Sequence, residues 1–307
     1  MKTLVPFPLP SMSLGLTLIA GLATVTSAPA ATASLPPIMD TSLMEGAPNN
    51  NTGTMANLVS GSVANGRKTR ALLRFDVAGS LPSGAVIEEA TLRLTVLKSP
   101  PGEVSPASHF GLHRVLVDWI EGTKGGGNTG ALASDGEPTW IMRSVTNDPW
   151  TTPGGGLDDT DFASAISSQV EMDLPGSYTI PSTPELVADV QSWICHPAAN
   201  FGWALISDQE AAGGSARRMG SRETGATQAP VLTLTYSISA PEIKITDAQL
   251  VDGALSLRWT GNASEYQIQQ RTTIDGPWTN LGDPVGCEKT ARIPIQQPAS
   301  FLRVISR

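Results

Sequence analysis

Apolar and polar residues alternate with a period of two along most of the patterned segments of this chain, as in strands with one buried face. Leu73, Phe75 and Val77 fall on one side of a first strand, while Leu72, Arg74 and Asp76 fall on the other. Leu92, Leu94 and Val96 repeat the pattern against Thr91, Arg93 and Thr95, and residues 79–85 join the two as a hairpin or a sheet-crossing pair. Residues 56–62 read as a short edge strand, 109–117 alternate again, and 170–174 form another short strand. The stretches 201–207, 217–222 and 231–236 close the series, separated by Ala-, Gly- and Pro-rich turns. Pro230, which lacks a backbone donor, suits the first position of the last strand. One segment breaks the period: Leu186, Val187, Val190 and Ile194 recur at helical spacing behind Pro184-Glu185, which predicts one short helix crossing the sandwich. Residues 118–163 are rich in Gly, Asn and Asp. A structureless loop of that length is out of keeping with a compact domain, so short strands such as 138–143 and an ordered exposed surface are expected there.

Several of these segments, in order, resemble a known family. TRALLRFDV (69–77), IEEATLRLTV (87–96), LHRVLVDWIEGT (112–123), PWTTPGGG (149–156), LVADVQSW (186–193), ANFGWALISDQE (199–210), RRMGSRE (217–223) and APVLTLTY (229–236) together are similar to the DNRLRE domain. That family is a secreted β-sandwich module grouped with carbohydrate-binding modules. The resemblance covers roughly residues 36–237 and implies a jelly-roll-like sandwich; RRMGSRE keeps only the final Arg-Glu of the motif that names the family. After a linker at 238–241, Leu255, Leu257 and Trp259 alternate with Ser256 and Arg258, followed by Tyr266, Ile268, Trp278 and the segment 301–305. This part, 241–307, resembles a small fibronectin type III-like sandwich. The expected fold is therefore all-β, in two domains.

Composition sharpens the picture in three places. With 30 Gly and 24 Pro in 307 residues, the chain suits many short strands joined by turns. Residues 1–33 read as an export signal, with Lys2, an apolar run from Leu14 to Val25, and a small-residue cut after Ala30 or Ala33. The apolar run falls short of a membrane span, so a secreted or cell-surface protein with no membrane span is expected. Net charge is −8, and residues 241–307, with seven cationic and seven acidic side chains, contribute none of it. An acidic main domain argues against nucleic acid as a partner. Cys195 and Cys287 are read as two largely buried, unpaired thiols, with a single bridge as the alternative.

The chemistry on offer is sparse. Only His109, His113 and His196 exist, without HExxH, GxSxG or zinc-ligand spacing, and His113 and His196 read as structural. Asp118 and Glu121 in DWIEG are read as structural or calcium-linked rather than as an acid pair. Asp158, Asp159 and Asp161, closely spaced in a Gly-rich loop, are the candidate calcium ligands, and no other cofactor is expected. Trp140 and Trp150 flank the Gly-rich passage and are the candidate sugar-stacking platform, with burial in the core as the alternative; Trp119, Trp193 and Trp203 read as core. Two basic concentrations stand out in the acidic domain. Lys68 and Arg70 form one, and Arg217, Arg218 and Arg222 the other; guanidinium forks bind carboxylates with paired hydrogen bonds, and surface ion pairing is the alternative. The expectation is a noncatalytic carbohydrate-binding protein whose partner is an extracellular, acidic polysaccharide or a cell-surface matrix. A structural or adhesive matrix protein without a sugar site comes second, and a polysaccharide hydrolase or lyase last.

Overall fold

The computed structural model describes residues 30–100, 108–238, 243–261, 263, 265–294 and 301–306. The expected signal at 1–33 lies almost wholly outside the described residues. The chain divides into two compact units, with the break between Ser239 and Ala240.

The first unit begins with β1 (Ala31–Leu35), β2 (Met39–Met44), β3 (Asn50–Asn51), β4 (Asn57–Ser62) and β5 (Lys68–Arg74). A short turn of helix, α1 (Val77–Ser80), leads to β6 (Ala85–Lys98) and β7 (Ser108–Val115). Three short strands follow, β8 (Ala131–Leu132), β9 (Met142–Ser144) and β10 (Asp148–Pro149), then β11 (Phe162–Met172) and β12 (Gly176–Ile180). After α2 (Pro184–Cys195) come β13 (Trp203–Ser207), β14 (Arg217–Gly220) and β15 (Val231–Ile238). The helix starts where the sequence says it should: Thr183 Oγ1 accepts from the Leu186 N–H at 3.1 Å, and Pro184 occupies the first turn, where its missing donor costs nothing.

These strands build a two-layer antiparallel sandwich. In the β6 sheet, β15 pairs with the first part of β6 and with β1, while β14 pairs with the end of β6 and β12 with its second half. In the β7 sheet, β2, β5, β13, β7 and β11 are neighbours in that order. The two layers face each other through Leu92, Leu94, Val96, Leu232 and Leu234 on one side and Leu73, Phe110, Leu112, Trp203 and Leu205 on the other, all buried. Leu186, Val190 and Trp193 of α2 complete this core, with the Trp193 and Trp203 rings 4.4 Å apart.

Two features depart from the expectations. The segment 56–62 is not an edge: Asn57–Ser60 bond to β14, and Gly61 and Ser62 bond to β5, so β4 passes from one layer to the other. Gly61 makes the bend, since its φ of +110° is one that L side chains rarely adopt and a Cβ there would lie 2.7 Å from the Ser215 carbonyl oxygen. The passage 116–161 is ordered and exposed over much of its length, as expected, but its inner side is a roof. Leu116 N–H bonds to the Asp161 carbonyl at its root, and Trp119, Trp140, Trp150 and Phe162 pack with Leu72, Ala204 and Ile206 into a second core on the outer face of the β7 sheet. Of its short strands, β9 (Met142–Ser144), paired with β10 (Asp148–Pro149), is displaced from the expected 138–143, and β8 pairs with β3.

The second unit contains β16 (Lys244–Val251), β17 (Ala254–Thr260), β18 (Tyr266–Arg271), β19 (Thr279–Asn280), β20 (Thr290–Pro294) and β21 (Phe301–Ser306). They form two three-stranded sheets around Leu257, Trp259, Tyr266, Ile268 and Val304, a small sandwich with its own core. The expectation of unpaired, buried thiols is corrected: both cysteines are disulfide-bonded, and both are partly exposed. Cys195 ends α2, where the chain emerges from the core toward the exposed His196.

Candidate functional site

The residues to which the sequence assigns a sugar or metal site turn out to be built into the scaffold in different degrees. Arg70 points from β5 beneath the roof, where its guanidinium holds both oxygens of Glu210 at 2.8 and 2.7 Å and donates to the Gly154 and Gly155 carbonyls at 3.1 and 2.6 Å. Four of the five donors of that fork are used within the fold, so Arg70, 7% exposed, fastens the roof. Trp140 and Trp150 are 6% and 3% exposed. Trp150 donates from Nε1 to the Thr139 carbonyl and packs on Phe162, and the Trp140 ring lies under Gly154, so the expected stacking platform is instead interior. The apolar set Leu72, Ala204 and Ile206 on the outward side of the β7 sheet demands such a cover, and the indoles supply it. Lys68 lies at the start of β5, partly buried, with its backbone N–H on Glu45 Oε2.

The second basic group separates residue by residue. Arg217 is fully buried; it donates to the Ser215 carbonyl at 2.8 Å, lies 3.7 Å from Asp173 and stacks over Phe110, and burial pulls its pKa below the ordinary arginine value. It is a core arginine, because strand alternation turns it inward with Met219. Arg222 sits in the short turn after β14, with Nε 2.6 Å from Glu121 and 2.9 Å from Glu223. Burial disfavours its charge, but Glu121 and Glu223 outweigh that and raise its pKa. Arg218, between the two, faces away from the core, partly exposed, and donates to Asn128 Oδ1 at 3.2 Å.

Around Arg222 three acids converge. The Asp40 backbone N–H donates to Glu121 Oε1 at 2.8 Å, and the Arg222 backbone N–H donates to Asp40 Oδ2 at 2.8 Å. Asp40 is 1% exposed, and burial, reinforced by Glu223 and Glu121, pushes its pKa up to about 8 against the pull of the Arg222 N–H. Glu121 is also shifted upward, by burial first. Glu121 of DWIEG is thus a tie between β2, the roof and the turn after β14, while Asp118 pairs with Arg74 at 3.3 Å.

The acidic loop gathers no metal cage. Asp158 accepts from Thr160, Asp159 from the backbone and hydroxyl of Ser164, and Asp161, 2% exposed, from the Thr151 and Gly156 N–H groups at 2.8 Å each. Each carboxylate satisfies its own stretch of loop, the usual competition of Asp with backbone structure. Among the described residues no group of three or more His, Cys, Asp or Glu side chains could hold a metal ion. His113 is buried with Nδ1 on the Ala163 carbonyl, and burial lowers its pKa.

A further surface is set by strand alternation alone. The outer face of the β6 sheet carries Thr91, Arg93 and Thr95 of β6, Thr233 and Thr235 of β15, Thr32 and Ser34 of β1, and Ser177 and Thr179 of β12, all partly or fully exposed. The runs TLRLT and VLTLT, whose leucines are buried, were its signal.

No family model and no curated protein matches this chain. Among solved structures, a β-1,2-glucanase from Parabacteroides distasonis is similar at 10% identity and a TM-score of 0.17, over 90% of this chain and 34% of that one. The chain thus spans about a third of the length of that structure, and a likeness so slight carries no argument about this protein.

Proposed function

We propose that this protein is a noncatalytic, extracellular carbohydrate-binding module that adheres to an acidic polysaccharide. The observation that supports it most directly is Arg218. Of the three arginines at 217–222, it alone is neither buried nor ion-paired among the described residues, and it stands in the part of the chain that carries the whole net charge of −8. An acidic surface that leaves a guanidinium without a carboxylate favours a carboxylate brought by a ligand, which the planar fork holds with two hydrogen bonds. The resemblance to a family grouped with carbohydrate-binding modules points the same way. The noncatalytic part of the reading rests on the acids: Asp40, Glu121 and Glu223 are gathered on Arg222 rather than facing one another across a water-filled cleft.

A second reading, a structural or adhesive matrix protein without a sugar site, is favoured by the burial of Trp140 and Trp150 and by the Arg70–Glu210 pair. Affinity electrophoresis through gels containing alginate, pectin or a neutral glucan separates the two. Retardation in the acidic gels, weakened in Arg218→Ala with an unchanged melting temperature, supports binding; free migration in every gel leaves the matrix reading. Shortening of any of these polymers by the purified protein would refute the noncatalytic assignment.

A further inference from the structure

The two faces of the sandwich that point away from its main core are treated differently by the chain. The outer face of the β7 sheet is apolar and roofed by residues 116–161. The outer face of the β6 sheet is polar and has no such apolar roof among the described residues, although Asn128 of the 116–161 passage reaches Arg218, and Thr227 and Ala229 border Arg93. Strand register arranges its side chains in rows. Ser34, Thr233 and Thr91 stand side by side across β1, β15 and β6; Thr95 stands beside Ser177; and Arg93 lies between Val231 and Thr179. Neighbouring strands are about 4.8 Å apart and same-face residues about 6.7 Å apart along a strand, so the hydroxyls form a regular lattice with a guanidinium inside it.

The cations on this side are not neutralised from within. Arg93 donates to Thr95 Oγ1 at 3.2 Å and to the Thr227 and Ala229 carbonyls, and Arg218 to Asn128. Among the described residues neither lies within ion-pair distance of a carboxylate. Of the acidic residues of β6, Glu89 shares this face, exposed beside Thr235 and two residues before Thr91, so the cationic part of the face is the end from Arg93 onward.

We propose that this face is the docking surface for one extended strand of a uronate-type polysaccharide, with Arg93 and Arg218 taking its carboxylates and Ser34, Thr91, Thr95 and Thr233 its hydroxyls. The inference rests on the binding function above and assigns that function a place. Hydroxyl rows suit a polyhydroxylated chain because each Ser or Thr both donates and accepts. The positive charges in an acidic unit select a polyanion over a neutral glucan.

The test uses the purified protein and sodium alginate in an affinity gel. The double variant Thr91→Val/Thr233→Val keeps β-branched shape and removes two hydroxyls, and Arg93→Gln removes the charge. The double variant should bind about tenfold more weakly, at roughly one hydrogen bond's net worth per hydroxyl, and Arg93→Gln should lose retardation in alginate, both with the parent melting temperature. Wild-type retardation with both variants retarded equally would overturn the assignment of this face while leaving the function intact. Free migration of the wild type would overturn both.

Discussion

Asp40 is a carboxyl held in the interior beside two others, and the simplest way to keep it there is to leave its proton on. Its pKa of about 8 in the fold, against about 4 in an unfolded chain, means the native state binds the extra proton throughout that window. The contribution of Asp40 to stability is therefore full below about pH 4, declines as pH rises and is gone above about 8; the upward shift of Glu121 acts in the same sense. Asp40→Asn keeps an acceptor for the Arg222 N–H and cannot ionise. In urea melts the wild-type midpoint should fall more steeply between pH 4 and pH 8 than that of the variant, which keeps only the smaller dependence from Glu121 and the other acids, a difference on the order of a few kcal/mol at pH 8. A wild-type profile already level over that range would refute the neutral Asp40. None of this was legible beforehand. The two basic clusters are plain in the sequence, but their partners are not: Glu210 lies 140 residues from Arg70, and only the folded register brings them together. The burial of Trp140 and Trp150 was half-legible, because Leu72 beside Leu73 and Ala204 beside Leu205 already say that both faces of the β7 sheet need a cover.

At the scale of elements, alternation located β5, β6, β7, β13 and β15 and the 3.6-residue spacing located α2, since both signals are local, but alternation caught only the end of β11, read as 170–174 where the strand runs Phe162–Met172. What alternation could not show is where a strand changes layer, as β4 does at Gly61, or how a glycine-rich passage lies down. The roof depends on close approach: Gly154 has φ +88°, and a Cβ there would come within 2.5 Å of the Trp140 ring. Gly154→Ala should lift the roof off Trp140, lowering stability by roughly 1–3 kcal/mol and increasing the indole's exposure to acrylamide quenching. Unchanged quenching and melting would mean that the passage does not close over the ring. The loss would fall on the second core, and the core between the layers, built from other side chains, should keep its packing.

On the scale of the whole molecule, each unit has its own core, and in the first of them the first and last described strands lie side by side: Ala31 at the start of β1 pairs with Tyr236 near the end of β15. Because β1 and β15 run antiparallel, tension applied between these two ends loads the ladder one rung at a time, as in opening a zip, and never across all its bonds together. Single-molecule pulling on residues 31 and 238 should thus detach β1 at low force before the remaining strands yield. A protein anchored at one end and holding a polymer on this sheet would give way first at its outermost strand, acting as a mechanical fuse that yields while the rest of the sandwich stays folded.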